Sequence, residues 1–226
     1  PWEPRRFFRW RNYRDYVTGV AGDLFVHLLT GLYTVTDSKG PTRVYATGGL
    51  RYWKDGRDVP DVMLATMDFP ESAEHPAFNL ILRVNFKSSL SKESFGVNFI
   101  GSEGTMQTSM DAVEVHKTPR PDEFDYTINS FTESMQRQLT EKWKEKHPAP
   151  TVDQMTPNGV QRYRVSGGDN SHLAHHRNFY RSIRENAPLI EDATFGLRAA
   201  GPALLTNESY FSGKIVSWNP DSLKIA

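Results

Sequence analysis

The segment Leu80-Ile81-Leu82-Arg83-Val84-Asn85-Phe86 alternates in part between apolar and polar residues, the pattern of a strand with one covered face and one wetter face. Its neighbours extend the pattern. Val44-Tyr45-Ala46-Thr47, Val62-Met63-Leu64-Ala65-Thr66-Met67-Asp68-Phe69 and the stretch from Phe95 to Ile100 are rich in β-branched and aromatic residues, with turn residues between them. We read all of these as strands of one sheet. Gly101-Ser102-Glu103-Gly104 is a tight-turn signal, and Thr105 to Ser109 with Ala112 to Lys117 form a closing hairpin pattern.

Helical spacing flanks the strands. Leu24, Phe25, Leu28, Leu29 and Leu32 predict a short helix over Asp23 to Tyr33, with Gly22 before it and Gly31 near its end. Phe131, Met135, Leu139 and Trp143 recur in steps of four within a charged stretch, predicting an amphipathic helix over Ile128 to His147 that ends before Pro148. The prolines and glycines from Pro148 to Asn170 predict a long irregular loop. Ser171 to Asn186 and Ala193 to Phe211 predict two closing helices, the second accommodating Pro202 by a kink or an early start. This order gives an α+β fold over residues 1–226 as a single domain, with a mainly antiparallel open sheet and helices on one face. The other sheet face is then left to solvent or a partner, and apolar residues on it favour a homodimer.

Composition excludes several functions. With 27 basic and 27 acidic residues the net charge is zero, so no global field recruits nucleic acid or an anionic membrane. Arg5, Arg6, Arg9, Arg11 and Arg14 alternate with Phe7, Phe8, Trp10 and Tyr13, residue types that single-strand binders use. A loop that packs its rings and extends its arginines to water looks the same, and we expect no nucleic-acid partner. The 38% hydrophobic content supports a core, while no apolar run nears the roughly 20 residues of a membrane span. We therefore expect a soluble protein, its compartment unknown. Without cysteine there are no disulfides or thiolate metal sites. His172 and His176 stand one helical turn apart, but no acidic residue joins them in a zincin pattern, so we expect no metal.

The chemistry concentrates in Gly22-Asp23-Leu24-Phe25-Val26-His27. A helix beginning there puts Asp23 and His27 on one face, as in half of an active site. The same residues also suit a helix start, where a negative charge is favourable, followed by an ordinary half-buried histidine. No glycine fingerprint or Walker loop accompanies them, so no nucleotide cradle is expected in this chain. The sequence opens on Pro1 rather than methionine, consistent with a truncated or processed chain.

Six segments occur in the order used by one family: Arg9-Trp10-Arg11-Asn12-Tyr13-Arg14-Asp15-Tyr16, Gly22 to His27, Asp58-Val59-Pro60-Asp61, Gly101 to Gly104, His176-Arg177-Asn178-Phe179 and Trp218-Asn219-Pro220. Together they resemble the C-terminal domain of the glucose-fructose oxidoreductase, inositol dehydrogenase and rhizopine-catabolism family, Gfo/Idh/MocA. The resemblance implies a substrate-binding and oligomerisation domain whose full-length parent carries an N-terminal Rossmann domain with NAD or NADP, missing here. The family's Glu-Lys-Pro motif is absent too: Glu141-Lys142 and Glu145-Lys146 lack the proline and read as helix surface.

By this resemblance Asp23 and His27 are the catalytic candidates, His27 as acid/base for a substrate hydroxyl, with Asp23 orienting the imidazole or binding a neighbouring hydroxyl. Sugar-like substrates need stacking and planar hydrogen-bonding partners, and Arg11, Tyr13, Tyr16, Trp53 and Arg57 are the candidates. Tyr52 and Trp53 would equally suit packing at a strand end. The implied parent is an NAD(P)-dependent oxidoreductase acting on a sugar, polyol or glycoside, with this chain alone inactive. A carbohydrate-binding or assembly module without redox activity is the alternative.

Overall fold

The computed structural model describes residues 2–87, 95–117, 126–148, 160–165 and 170–226. They fall in two compact units, one comprising Pro1–Ser91 with Asn170–Ala226, the other Lys92–Asp169.

The first unit holds a five-stranded sheet in the order β3-β2-β1-β8-β9. Its strands are β1 (Arg43–Gly49), β2 (Val62–Phe69), β3 (Phe78–Asn85), β8 (Val216–Asn219) and β9 (Lys224–Ile225), every adjacent pair antiparallel. The pleat sorts their side chains as the alternation predicts. Val44, Ala46, Met63, Ala65, Met67, Phe69 and Leu82 are buried on one face; α5 (Ala193–Ser212) packs on β1, and Tyr33 of α2 (Val26–Thr36) meets Phe69 edge to face at 6.2 Å. Across the other face Tyr45 stands opposite Thr66, and Thr66 opposite Ile81.

Small residues let α5 approach the sheet. A Cβ on Gly201 would lie 2.7 Å from the Trp218 ring, and the adjoining Pro202 is fully buried. Pro202 lies well inside an uninterrupted helix, so the early-start alternative is not the one realised. At the helix end Ser209 Oγ accepts the backbone N–H of Ala46 at 2.9 Å and donates to the Lys214 carbonyl. Ser209 thereby satisfies β1 beyond the point where its pairing with β8 stops, at Val44.

The predicted helix near Asp23 runs longer than expected. A π-helical turn, Ala21–Phe25, leads into α2, which ends at Thr36 with Asp37 in the left-handed region at φ 53°. Upstream lie the short α1 (Pro4–Phe8) and a 3-10 turn, Trp10–Asn12. Helix α4 (Ser171–Glu185) starts where Asn170 accepts the N–H of Leu173, and it buries no residue.

The second unit carries the four-stranded order β4-β5-β6-β7: β4 (Asn98–Gly101), β5 (Gly104–Thr108), β6 (Ala112–Lys117) and β7 (Gln161–Arg164). The expected hairpin is present as β5 and β6. The strand expected from Phe95 to Ile100, however, pairs with β5 rather than with the sheet of β1 to β3. Part of the expected irregular loop is also strand, since β7 pairs with β6. Residues 149–159 and 166–169 of that loop lie outside the described residues. Helix α3 (Glu133–Lys146) falls within its predicted range, after a 3-10 turn at Tyr126–Ser130. Among the described residues, no helix is long and apolar enough to cross a membrane.

Candidate functional site

A buried carboxylate fixes one wall of the site. Asp61, 1% exposed, accepts the backbone N–H groups of Arg51 at 2.7 Å and of Tyr52 and Trp53 at 2.9 Å. Burial by itself would raise the Asp61 pKa, but these three donors outweigh it and hold the carboxyl below its ordinary value. The loop after β1 is thus tied to the residue preceding β2, and Trp53 is positioned by its backbone. Arg57 lies under that ring, its guanidinium carbon 4.4 Å from the centroid. Its Nε and Nη2 donate to the two oxygens of Asp55, each at 2.8 Å. This fork leaves the Arg57 side chain 7% exposed, and it holds the Asp55 carboxyl well below the usual carboxylate range.

The N-terminal segment is bonded to the same loop. Arg5 Nη1 donates to the Asp55 carbonyl at 2.9 Å, and the Asn12 carbonyl accepts from the N–H groups of Asp58 and Val59. The N–H of Arg14 donates to Asp58 Oδ1 at 2.8 Å. Between these anchors Arg11 stacks on Trp10 at 4.1 Å and places its Nε 3.5 Å from Asp23 Oδ2.

Asp23 sits in the π turn and His27 in the first turn of α2. The turn closes tightly: a Cβ on Gly22 would lie 1.7 Å from Thr18 Oγ1. Asp23 and His27, with Arg11, Trp53 and Arg57, line one cleft of about 710 Å³. His27 is exposed there. Such a cleft offers an imidazole, a carboxylate and guanidinium donors beside a flat ring, a set that can hold and deprotonate a polyhydroxylated ligand.

Two candidates lie elsewhere. Tyr13 is 4% exposed beneath the Arg6 guanidinium at 4.6 Å, and Tyr16 lines a separate aromatic cavity. Asn12 and Phe86 join the cleft without having been anticipated. No spacing signal marks them, because Asn12 lies in a turn and Phe86 just past the end of β3. Among the described residues no group of three or more histidine, aspartate or glutamate side chains is placed to hold a metal ion.

The fold resembles that of part of several solved oxidoreductase structures. Similar solved structures include the WlbA dehydrogenase from Bordetella pertussis in complex with NADH and UDP-GlcNAcA, at 14% identity and TM-score 0.57, covering 96% of this chain and 54% of that one. An oxidoreductase from Agrobacterium radiobacter in complex with NAD+, L-tartaric acid and magnesium matches at 14% identity and TM-score 0.57, over 91% of this chain and 50% of that one. An NAD-binding protein from Listeria innocua matches at 15% identity and TM-score 0.56, with coverages of 92% and 54%. The chain spans about half the length of these structures. No protein-family model matches it, and no curated relative does.

Proposed function

We propose that this chain is the substrate-binding domain of an NAD(P)-dependent oxidoreductase acting on a sugar, polyol or glycoside. The observation that carries the reading is the gathering of His27, Asp23, Arg11, Trp53 and Arg57 around one cleft. The hydroxylated ligands of the Bordetella and Agrobacterium structures support it.

Nothing among the described residues fits the dinucleotide. Both sheets are antiparallel throughout, and no glycine-rich turn leads from a parallel strand into a helix. Hydride acceptance would belong to a nicotinamide held by another domain. The share of this chain is to hold the substrate and move a proton: His27 takes the proton of the reacting hydroxyl, Asp23 and Arg11 bind hydroxyls beside it, and Trp53 provides a stacking face.

A second copy of the chain is the proposed partner for the open sheet face. Tyr45, Leu64 and Ile81 are 46%, 42% and 71% exposed beside the Arg43–Asp68 ion pair. An apolar strip flanked by both charge signs is suited to self-association about a two-fold axis.

The test is NAD(P) reduction by the protein as its source produces it, over a panel of sugars, polyols and glycosides. His27→Ala should lower kcat by about 10² to 10⁴ while cofactor affinity holds. Undiminished turnover in that variant would remove His27 from the chemistry. Absence of turnover with every substrate would favour a binding or assembly module.

A further inference from the structure

Two other concave spaces lie beside the His27 cleft along the N-terminal segment. A space of about 250 Å³ shares Arg11, Asn12 and Arg57 with that cleft, and Phe8 and Trp10 with the next cavity along. That outer cavity, about 640 Å³, is walled by Trp2, Phe7, Phe8, Trp10 and Tyr16.

Its charges are largely spent within the wall. Arg6 lies 3.1 Å from Glu3 and 3.0 Å from Asp15, so the surface offered to a ligand is mainly ring. Trp2, Phe7 and Phe8 are 69%, 62% and 75% exposed. Helix α1, which carries two of them, buries no residue. Phe7 and Phe8 meet edge to face at 5.1 Å, and Trp2 leans on Phe7 at 6.3 Å, so the rings support one another without the core. Exposing such area to water is unfavourable by about 25 cal/mol per Å², and contiguous patches of this kind mark binding surfaces.

The aromatic wall is also fixed relative to the His27 cleft. Arg5, two residues before Phe7, donates to the Asp55 carbonyl, and Asp55 holds Arg57 at the cleft wall. A ligand with its reacting ring at His27 and its length along the turn at Trp10–Asn12 would carry its far end onto these rings. Ligand sites commonly measure about 300 to 1,000 Å³. The cleft alone suffices for one sugar ring, and the outer cavity is room for a second group.

We propose that the aromatic cavity is a second subsite, which binds a flat group attached glycosidically to the reacting sugar, so that the substrate is a glycoside rather than a free monosaccharide. The inference rests on reading the His27 cleft as the sugar site. Its occupant is recognised by a flat C–H or π face, which an aryl aglycone and a second sugar ring both present.

Calorimetry on the protein as its source produces it tests this with matched methyl and phenyl glycosides of glucose, galactose, mannose and xylose. Each phenyl glycoside that binds should do so about tenfold more tightly than its methyl counterpart. Phe7→Ala/Phe8→Ala should bring that ratio to about one, whereas His27→Ala should leave the ratio in place. Both phenylalanines are exposed, and an unchanged circular-dichroism melt checks that the double variant folds. Comparing methyl cellobioside with methyl glucoside separates the two occupants: a tenfold gain from the second sugar assigns the cavity to a sugar ring, and no gain beside a phenyl preference assigns it to an aryl group. Equal affinity across all pairs, no binding of any phenyl glycoside, or a phenyl preference that survives the double variant overturns the subsite. The redox reading fails separately: a phenyl preference without NAD(P) reduction keeps the subsite, while reduction with free sugars and no preference removes the subsite alone.

Discussion

Asp23 is held by Arg11, with Oδ2 3.5 Å from Nε, and among the described residues no hydrogen bond joins it to the His27 imidazole. On the proposed reading, this carboxylate would bind a substrate hydroxyl beside the Arg11 guanidinium rather than orient the His27 imidazole. If the protein as its source produces it has the proposed activity, Asp23→Asn should raise KM more than it lowers kcat. A kcat loss as large as that of His27→Ala would return Asp23 to the proton-transfer step. Because the Arg11 and Asp23 side chains are 64% and 36% exposed, a double-mutant cycle between them on stability should give a coupling of only about 0.2 to 1 kcal/mol, shrinking with added salt.

Asp61 should be the most costly carboxylate to remove from the cleft wall. Asp61→Asn keeps the size of the side chain but replaces an acceptor oxygen with an amide donor facing the N–H groups of Arg51, Tyr52 and Trp53. Leaving buried donors unpaired costs about 1 to 3 kcal/mol, read as a lower denaturation midpoint together with a shift in tryptophan emission. The pH dependence has a definite sign. The native pKa is lowered, so the contribution is complete above the unfolded value, near 4, and is lost as pH falls through the native value. The stability gap between wild type and Asp61→Asn should therefore be widest near neutrality and close on acidification below about pH 4. A gap that widens with acid would contradict the assignment.

Alternation made the first sheet legible, because period two forces Met63, Ala65 and Met67 to the covered face and leaves Leu64 and Thr66 on the other. The same logic failed where side chains carry no such contrast. Gln161 to Arg164 is exposed throughout, and its place beside β6 is set by backbone pairing and by the Arg162–Glu114 contact. The apolar spacing of Leu24, Phe25, Leu28 and Leu29 announces a helix but does not register the wider turn at Ala21–Phe25, which depends on Gly22 admitting Thr18. Asp23 and His27 line one cleft, as a spacing of one helical turn allows. The burial of Tyr13 was not legible, since a ring in an arginine-rich loop has the same sequence signature whether it faces a ligand or an arginine.

The open sheet face gives a prediction about assembly. Ile81 is 71% exposed, and Tyr45 and Leu64 accompany it on the same face. If two copies pack there, Ile81→Lys introduces a charge into each buried half, and a charge without a partner is strongly disfavoured. Sedimentation should show a dimer for the wild type and a monomer for Ile81→Lys, with an unchanged circular-dichroism spectrum. A monomeric wild type at micromolar concentration would remove this face as an interface between copies.

Ser209 offers a test of how α5 is registered on the sheet. Its buried hydroxyl accepts the Ala46 N–H at 2.9 Å and donates to the Lys214 carbonyl at 2.6 Å, so one oxygen satisfies a strand donor and a carbonyl past the helix end. Ser209→Ala removes both bonds while making almost no cavity, leaving the Ala46 N–H and the Lys214 carbonyl without this partner. The expected loss is about 1 to 3 kcal/mol, a fall in melting temperature of about 2 to 4 °C per kcal/mol for a chain of this size. Amide exchange discriminates the cause: the Ala46 N–H should lose protection in the variant more than the N–H groups of Met63 and Ala65 in the neighbouring strand, because those keep their ladder partners. Uniform loss of protection across the sheet would mean that Ser209 contributes only to global stability and does not specifically cap β1.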